Sequence, residues 1–471
     1  MQHYFIADVF DDECSLRSNY IIYKHMKKYL IFISFLLFSS QGLIFSQEKI
    51  WSLEDCIRYA IDHNIQIKQQ TVVTKVQKNS LDLARLNLLP TINGSASHDY
   101  SFGRALDQNS YEFYNQTIQS DYFYLGGNTN LFSGLQNLNA IRKNKYELLA
   151  SEQDLQKIRD NVSLSVALAY LQILLDRELV TANENQLNIT LQQIEKTKKL
   201  VSAGSVARGN LLQIEAQAAQ EELSLISMKN QLETSYLNLT QLLELGSPAG
   251  FEIVIPEISV DSNAIITGNI DEIYDVARQT RPEIKSSEFK LTASEYDLKI
   301  AKGARSPSLS LSHSLRTRYS FIENLTGQES FKNQLKNNKN YELGVSLSIP
   351  ILNGWQVNKN ISNSKLSVEN SQYTLEGTEK QLYKNIQQAY TDAVAALKKY
   401  NASIKAVSSN EESFRYTEQK FNVGMVTPVD YNVAKTQLLN AQSDLAQSKY
   451  EFVFKTKVLD FYKGVPLNLT K

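Results

Sequence analysis

The chain has 471 residues, and its 49 lysines and arginines against 50 aspartates and glutamates give a formal net charge of −1 at pH 7. This balance leaves no basic excess for gripping nucleic acid, so a nucleic-acid partner is not expected. The five histidines are scattered, with no partner at the spacing of a metal site or a catalytic triad, and the sequence has no glycine-rich phosphate loop. We therefore expect no enzyme activity, no catalytic residue, no bound metal and no cofactor.

The N-terminal segment has the features of an export signal. Two lysines and an apolar run precede Ser46, a small residue suited to a cleavage point. The sequence thus predicts a secretory signal peptide over residues 26–46, with a membrane anchor as the alternative. Residues 1–25 are interpreted as an over-long start or a disordered extension. After the signal, no segment approaches the roughly 20 apolar residues of a helical membrane span. Cys56 is the one cysteine of the mature chain, which excludes an internal disulfide.

The rest of the chain is an internal duplication. "LVSAGSVARGNL" and "KFNVGMVTPVDY" each interrupt a long helical pattern, and their glycines, Gly204 and Gly424, are related by an offset of 424 − 204 = 220. Apolar residues recur every seven positions on both sides of the two glycines, in the same register. Upstream, the helical segments that begin at Leu53 and Ile270 match at an offset of 270 − 53 = 217. We expect a loop between residues 307 and 353 to absorb the difference.

Each copy is predicted to contain two short helices, two strands, a long helix, a turn and a returning helix. The long helices, about 135–203 and 355–423, would each extend about 100 Å at 1.5 Å per residue. Their narrow apolar stripes are typical of helices that touch neighbours along seams and expose their other faces to water. The first predicted repeat is 47–250, with a β-hairpin at 90–132 and a helical hairpin at 134–245. A linker of the equatorial belt follows at 251–269. The second predicted repeat is 270–464, with a β-hairpin at 307–351 and a helical hairpin at 355–463, and the chain ends in a tail at 465–471.

Four segments show the alternation of strands with two different faces. In "YELGVSLSIPIL", the apolar residues from Tyr341 to Ile351 share one face, and mostly polar residues take the other. "SLSLSHSLRTRYSF" and "TINGSASHDYSF" alternate in the same way, whereas "DYFYLGGNTNLF" is aromatic-rich but less regular. Such strands are typical of a membrane β-barrel, with the half-buried sheet of a soluble protein as the alternative. The polar segments 103–120 and 322–339 are predicted to be external loops.

The number of strands predicts an oligomer. Four strands cannot close a barrel, and an open sheet edge in lipid is forbidden because its amides would be unsatisfied. Closure therefore requires several copies of the chain, and three copies would give 12 strands.

These features together resemble the TolC-like outer-membrane efflux proteins. The resemblance runs from "WSLEDCIRYAIDHNIQIKQQ" to "FYKGVP" and is carried by "LARLNLLPTINGSAS", "NLFSGLQN" and the paired turns "VSAGSV" and "FNVGMVTPVDY". It implies an α/β membrane protein that forms a homotrimer. Four strands per chain would build a 12-stranded barrel in the outer-membrane lipid, continued by an α-helical coiled-coil barrel in the periplasm. It also implies an exit duct for small molecules, served by an inner-membrane pump and a periplasmic adaptor (membrane fusion) protein.

Two other functions stay open. The same duct would serve type I protein secretion with a different pump, and a wide water-filled duct gives no sequence signal for its substrate. A periplasmic coiled-coil scaffold is the other alternative. It predicts no lipid-facing strands, and the sharp alternation at 341–351 argues against it.

The resemblance also assigns a role to the two glycine turns. They would be the periplasmic tips of the helical hairpins, where the tunnel narrows and the adaptor docks. Hairpin turns with no contact role are the alternative. The docking residues implied are Gly204, Ser205, Val206, Gly424, Met425 and Thr427.

The tip departs from the family in one respect. Well-described members close it with a Tyr–Arg–Asp set, and the matching positions here hold Phe421, Val426 and Asn210. The charge-linked lock cannot form from these side chains. Arg208 and Asp430 lie nearby and are further gate candidates, although Asp430 also suits the role of a carboxylate at a helix start.

Overall fold

The computed structural model describes residues 50–106, 111, 113–258, 260, 266, 268–323, 325–465 and 467. The predicted extension 1–25 and the signal peptide 26–46 lie outside the described residues. The chain divides into a small unit, of which Ile50 and Gly250–Glu252 are described, and a large unit that holds the other described residues.

The helices follow the duplication. The first copy holds α1 (Leu53–His63), α2 (Ile65–Leu86), α3 (Gln136–Ser202) and α4 (Arg208–Leu242). The second holds α5 (Ile270–Thr280), α6 (Pro282–Gly303), the short α7 (Phe331–Asn337), α8 (Gln356–Asn422) and α9 (Pro428–Tyr462). The starts of α2 and α6 match at an offset of 282 − 65 = 217, and those of α3 and α8 at an offset of 356 − 136 = 220. The predicted duplication is confirmed at the level of single residues.

The two long helices, α3 and α8, have 67 residues each, about 100 Å at 1.5 Å per residue. One 18-residue window of α3 is apolar enough to cross a membrane by length and composition, contrary to the sequence-based expectation. This is weak evidence for a span, because 44% of the window is buried inside the molecule and core helices pass the same test.

Six strands accompany these helices in the described part of the chain. They are β1 (Ile50–Trp51), β2 (Thr91–Leu106), β3 (Phe113–Ser133), β4 (Glu252–Ile253), β5 (Ser308–Ile322) and β6 (Asn340–Ser348). Four of them form one antiparallel sheet in the order β2-β3-β5-β6, so the two copies join through β3 and β5. The two polar segments predicted to be loops contain regular structure, since β2 ends at Leu106, β3 begins at Phe113 and α7 lies within 322–339.

Over β5 and β6, the sheet has one apolar and one polar face. Between β5 and β6, the facing pairs alternate: Leu309 with Leu347 and Leu311 with Val345 on one face, Ser308 with Ser348 and Ser310 with Ser346 on the other. The apolar side chains of β6 are open, with Tyr341 74% and Leu343 75% exposed. A water-soluble sheet would cover this face, so its exposure within the described chain requires another apolar environment.

The short helices pack against the long ones. Between α6 and α3, the Nζ of Lys143 lies 2.7 Å from Oδ1 of Asp297, and the rings of Tyr146 and Tyr296 stack at 5.7 Å. The residue before α2 and the residue before α6 also contact the end of a returning helix. The Nδ2 of Asn64, before α2, donates to the carbonyl oxygen of Leu242 at 3.2 Å, and the guanidinium of Arg281, before α6, lies 4.1 Å from the ring centre of Phe461.

Candidate functional site at the hairpin tips

The long helices end in the same way in both copies. Gly204 and Gly424 have φ angles of +75° and +76°, a left-handed conformation that favours glycine. The residue after each glycine donates its N–H to the carbonyl five residues earlier, as in a Schellman motif. These bonds run from Ser205 N to Leu200 O at 2.9 Å and from Met425 N to Lys420 O at 2.8 Å.

The returning helices begin differently. Pro428 is the first residue of α9, and Thr427 caps it in a reciprocal capping box with Asp430. The carboxylate of Asp430 accepts from the Thr427 N–H at 3.1 Å and from its hydroxyl at 2.7 Å, and these bonds hold the pKa of Asp430 below its usual range. In α4, the equivalent cap is Ala207, which has no side-chain bond. Within one chain, Asp430 thus acts as a carboxylate at a helix start.

The two tips enclose a common groove of about 850 Å³. Nine of the eleven predicted docking and gate residues line it, namely Ser205, Val206, Asn210, Phe421, Gly424, Met425, Val426, Thr427 and Asp430. Gly204 and Arg208, by contrast, do not line the groove. The fold therefore brings together side chains that belong to different copies of the duplication and lie far apart in the sequence.

The outer end of the tips is apolar and open. Met425 is 74% exposed and the neighbouring Val423 is 70% exposed. Ser205 and Thr427 are exposed as well, whereas Val206 and Val426 are half-buried at equivalent positions. Large apolar side chains held on a rigid turn are suited to contact with another protein.

The candidate gate residues do not form a charged lock within the chain. Phe421 stacks on Tyr431 of α9 at 4.7 Å and so packs inside its own hairpin. Tyr431 is buried, and burial raises its pKa to about 12. Val426 and Asn210 are half-buried in the groove and carry no charge.

Sequence reasoning missed a buried polar cluster near the tips. Lys435 of α9 is 3% exposed, and its ammonium donates to the carbonyl oxygen of Gln186 at 2.9 Å and to the hydroxyl of Thr190. Its Nζ also lies 3.5 Å from Oε1 of Glu221 on α4. The Glu221 carboxylate accepts further bonds from Thr190 and from the amides of Gln186 and Gln217. Burial lowers the pKa of Lys435.

A sequence signal for this cluster exists. Thr190, Glu221 and Lys435 each lie three or four residues from an apolar residue of the seven-residue repeat. This spacing places them on the helix face that packs against a neighbouring helix. Polar residues at three such positions indicate a buried contact, but the sequence alone does not say which of them meet.

Comparison with known proteins identifies the class. A family profile described as "Outer membrane efflux protein" matches residues 56–244 and 273–456, one stretch in each copy. The chain belongs to the outer membrane efflux protein family. As an outer membrane efflux protein, it has the mostly helical, internally duplicated fold of these channels and resides in the outer membrane.

Individual relatives of this efflux protein are distant. The outer membrane efflux protein BepC of Brucella suis is 20% identical over 407 residues, which cover 85% of this chain and 82% of BepC. The proteases secretion protein PrtF of Dickeya chrysanthemi is 19% identical over 407 residues, covering 85% of each chain. The outer membrane protein VceC of Vibrio cholerae superposes with a TM-score of 0.73 at 18% identity, over 88% of this chain and 97% of VceC.

Proposed function

We propose that this protein is the outer-membrane exit duct of a tripartite efflux system, passing small molecules delivered by an inner-membrane pump and a periplasmic adaptor. The observation that carries the proposal is the exposed apolar face of β5 and β6, whose other face is mostly polar. An apolar outside and a polar inside are what a water-filled β-barrel in lipid requires. The protein performs no chemistry in this proposal, and the pump supplies the energy.

Closure of the barrel calls for a homotrimer. Within one chain, β3 of the first copy pairs with β5 of the second over Ile118 to Ser133. The outer edges of β2 and β6 have no strand beside them within the described sheet. Repeating the β3–β5 relation places β6 beside β2 of the next chain, so that each chain adds four strands. Three chains give the 12-stranded barrel that the family resemblance implies, with no edge exposed to lipid.

Repeating the relation between the two copies from one chain to the next also generates an interface between helices of neighbouring chains. Within one chain, Tyr146 of α3 meets Phe289 of α6 with ring centres 6.1 Å apart. The equivalent residues are 146 + 220 = 366 on α8 and 289 − 217 = 72 on α2. Leu366 and Val72 are 60% and 59% exposed in the single chain. The exposed apolar residues of α2, which would be covered by α8 of the preceding chain, are Ile65, Val72, Val73, Val76, Leu83 and Leu86.

The tips are the proposed docking site for the adaptor. Gly204, Ser205, Val206, Gly424, Met425 and Thr427 form or flank the two turns, and the apolar side chain of Met425 is open. The helical hairpins would extend into the periplasm, away from the barrel, and the predicted belt linker 251–269 lies partly outside the described residues. In the proposed duct, the two repeats are residues 47–250 and 270–464.

Protein secretion is the second candidate. The relative PrtF is named as a proteases secretion protein, and it covers as much of this chain as BepC does. A duct of this fold would serve either pump, because the substrate is chosen before it enters the tunnel.

One experiment separates these functions. Cells without the protein should accumulate more of a fluorescent efflux substrate such as ethidium, and the wild-type protein should restore the low level. Met425→Asp should fail to restore it, while Val72→Ala, which trims one contact far from the tips, should restore most of it. If cells without the protein accumulate no more dye than the wild type but no longer release a particular protein into the culture medium, protein secretion is favoured. No change in either would contradict the duct.

A further inference from the structure

One end of the four-stranded sheet passes into the helices through four connections. They are residues 87–90, 134–135, 304–307 and 349–355. The strand pairings bring all four to the same end of the sheet, because Ser308 at the start of β5 faces both Ser133 of β3 and Ser348 of β6. We call these connections together the junction.

Large apolar side chains are exposed at the junction in both copies of the duplication. Leu135 and Trp355 are equivalent, since 355 − 135 = 220, and both are largely exposed. Both have a left-handed backbone, with φ angles of +61° and +63°, which is unusual for a bulky residue. Two further equivalent pairs at the ends of the preceding strands are exposed, namely Leu131 with Ile351 and Phe132 with Leu352. The exposure therefore belongs to the repeated fold and not to one loop.

This apolar surface continues the face of the sheet that is proposed to lie in lipid. In β6 that face runs from Tyr341 to Leu347, and the same alternation continues through Ile349 to Ile351, beyond the end of the strand. Within the described chain, no other segment covers these side chains. An apolar surface that is continuous with a lipid-facing one is expected to meet the same lipid.

Basic residues are concentrated just beyond this apolar surface. Each of α2, α3, α6 and α8 has one end at the junction, and the ten residues at that end, taken over the four helices, include nine basic and three acidic ones, a difference of 9 − 3 = +6. The next ten residues of the same helices include four basic and five acidic ones, a difference of 4 − 5 = −1. The nine basic residues are Lys78, Arg85, Arg142, Lys143, Lys145, Lys299, Lys302, Lys359 and Lys365. Since the whole chain has a net charge of −1, the positive charge is local.

Part of this charge is not neutralised within the chain. Lys143 is paired, with its Nζ 2.7 Å from Oδ1 of Asp297. Lys302 and Lys359, by contrast, are exposed and form no ion pair in the part of the chain that the structure describes. Arg305, between α6 and β5, is also exposed, and its guanidinium donates to an uncharged amide oxygen. Exposed cations beside an apolar surface are complementary to a layer of phosphate groups at the edge of a membrane.

We propose that the junction binds anionic phospholipids of the periplasmic leaflet, with their acyl chains against the exposed apolar side chains and their phosphate groups on Lys302, Arg305 and Lys359. Trp355 then lies at the boundary between acyl chains and headgroups, where tryptophan is enriched in membrane proteins. The positive charge draws anionic lipids out of a mixed membrane and concentrates them around the protein. The inference rests on the proposed barrel, because it needs the apolar face of the sheet to lie in lipid.

Tryptophan fluorescence tests the proposal, because the chain has two tryptophans and Trp51→Phe leaves Trp355 as the single one. This protein is placed in vesicles of equimolar phosphatidylcholine and phosphatidylglycerol, with brominated acyl chains on one lipid or on the other. Bromine quenches tryptophan at close contact, so the stronger quencher is the lipid that is enriched at Trp355. Quenching should be about twofold stronger with brominated phosphatidylglycerol, and high salt should reduce the difference by screening the charges.

Neutralising the three cations should remove this preference. In the single-tryptophan protein, Lys302→Gln with Arg305→Gln and Lys359→Gln should give equal quenching by the two lipids. Lys332→Gln with Lys336→Gln, in α7 at the opposite end of the sheet, is the matched control and should keep the preference. The salt dependence needs no change at these cations, so it tests the proposal even when the triple variant fails to fold.

Other outcomes overturn the proposal. Equal quenching by the two lipids before any cation is removed would exclude selective binding of anionic lipid, and a preference that survives in the triple variant would exclude the three assigned residues. A second probe separates these failures from that of the proposed function. Val345→Trp, in a chain with Trp51→Phe and Trp355→Phe, places the single tryptophan on the apolar face of β6. Quenching at this position but not at Trp355 overturns the junction site alone, whereas quenching at neither position overturns the barrel.

Discussion

The backbones of Gly134 and Gly303 meet where the turn before α3 crosses the end of α6. A Cβ atom on Gly303 would lie 2.4 Å from the carbonyl oxygen of Gly134, and one on Gly134 would lie 2.2 Å from that of Gly303. Only residues without a side chain allow this approach. The contact joins the base of the sheet to the helices, because Gly134 directly follows β3 and Gly303 is the last residue of α6.

Gly303→Ala should therefore destabilise the protein. The added methyl group collides with backbone, which has no rotamer to move away, and overpacking of this kind costs about 1–3 kcal/mol. Gly377→Ala in α8 is the matched control, because a Cβ built there meets no described atom within 4 Å apart from the adjacent backbone of its own helix, and alanine favours a helix by about 1 kcal/mol. Thermal unfolding in detergent should show a lower midpoint for the first variant and an equal or higher one for the second. Equal midpoints would contradict the close contact.

The orientation of the sheet in lipid is testable with two neighbouring residues. Val345→Lys places a charge on the apolar face and should cost about 2–4 kcal/mol if that face meets the bilayer near its middle. Ser346→Lys places the same charge on the polar face and should cost little. The amount of folded, detergent-extractable protein in outer membranes should fall for Val345→Lys alone. A greater loss with Ser346→Lys would mean that the faces are reversed.

Two glutamine side chains, one in α7 and one just before it, bond to the backbone at the end of β5 as a neighbouring strand would. Gln334 donates to the carbonyl oxygen of Ser320 and accepts from its N–H, both at 3.0 Å, and Gln328 does the same at Ile322 at 2.6 and 2.7 Å. Removing both amides by Gln328→Ala with Gln334→Ala should speed hydrogen exchange at residues 317–322. Lys336→Ala on the same helix is the control. Unchanged exchange in the double variant would show that these bonds do not protect the edge.

The cap of α9 gives a prediction with a defined pH dependence. Asp430→Ala should speed hydrogen exchange in the first turn of α9 at pH 7, whereas Asn210→Ala at the equivalent position of α4 should have less effect, since Ala207 provides no cap. The bonds from Thr427 lower the pKa of Asp430 in the folded protein. Their stabilisation is thus fully present above the ordinary carboxyl pKa of about 3.9 and is lost as the pH falls through the lower folded-state value. A difference between Asp430→Ala and wild type that persists below that pH would contradict the cap.

Much of this fold follows from local sequence patterns. Gly204 and Gly424 punctuate helical patterns that are otherwise continuous, and the seven-residue stripes give the helices their length and register. The alternation at 341–351 predicts β6 and its two faces. The strand ends earlier than the apolar pattern, at Ser348, because Pro350 has no N–H to offer to a neighbouring strand.

Contacts between distant residues explain what the sequence could not predict. Segment 322–339 has the composition of a polar loop, yet it contains α7, whose Gln334 bonds to the backbone of β5. The pair of Lys435 and Glu221 depends on how α9 crosses α4, which no local pattern encodes. The role of Asp430 was accessible, since Thr427 and Asp430 have the spacing of a capping box.

The central claim is that this chain closes a barrel only as a trimer in the outer membrane. The most direct test is the mass of the protein extracted from purified outer membranes with a mild detergent, measured by light scattering with correction for bound detergent. We expect three times the mass of one mature chain. A monomer or dimer, or recovery of the protein from the soluble periplasmic fraction, would contradict the barrel and with it the duct.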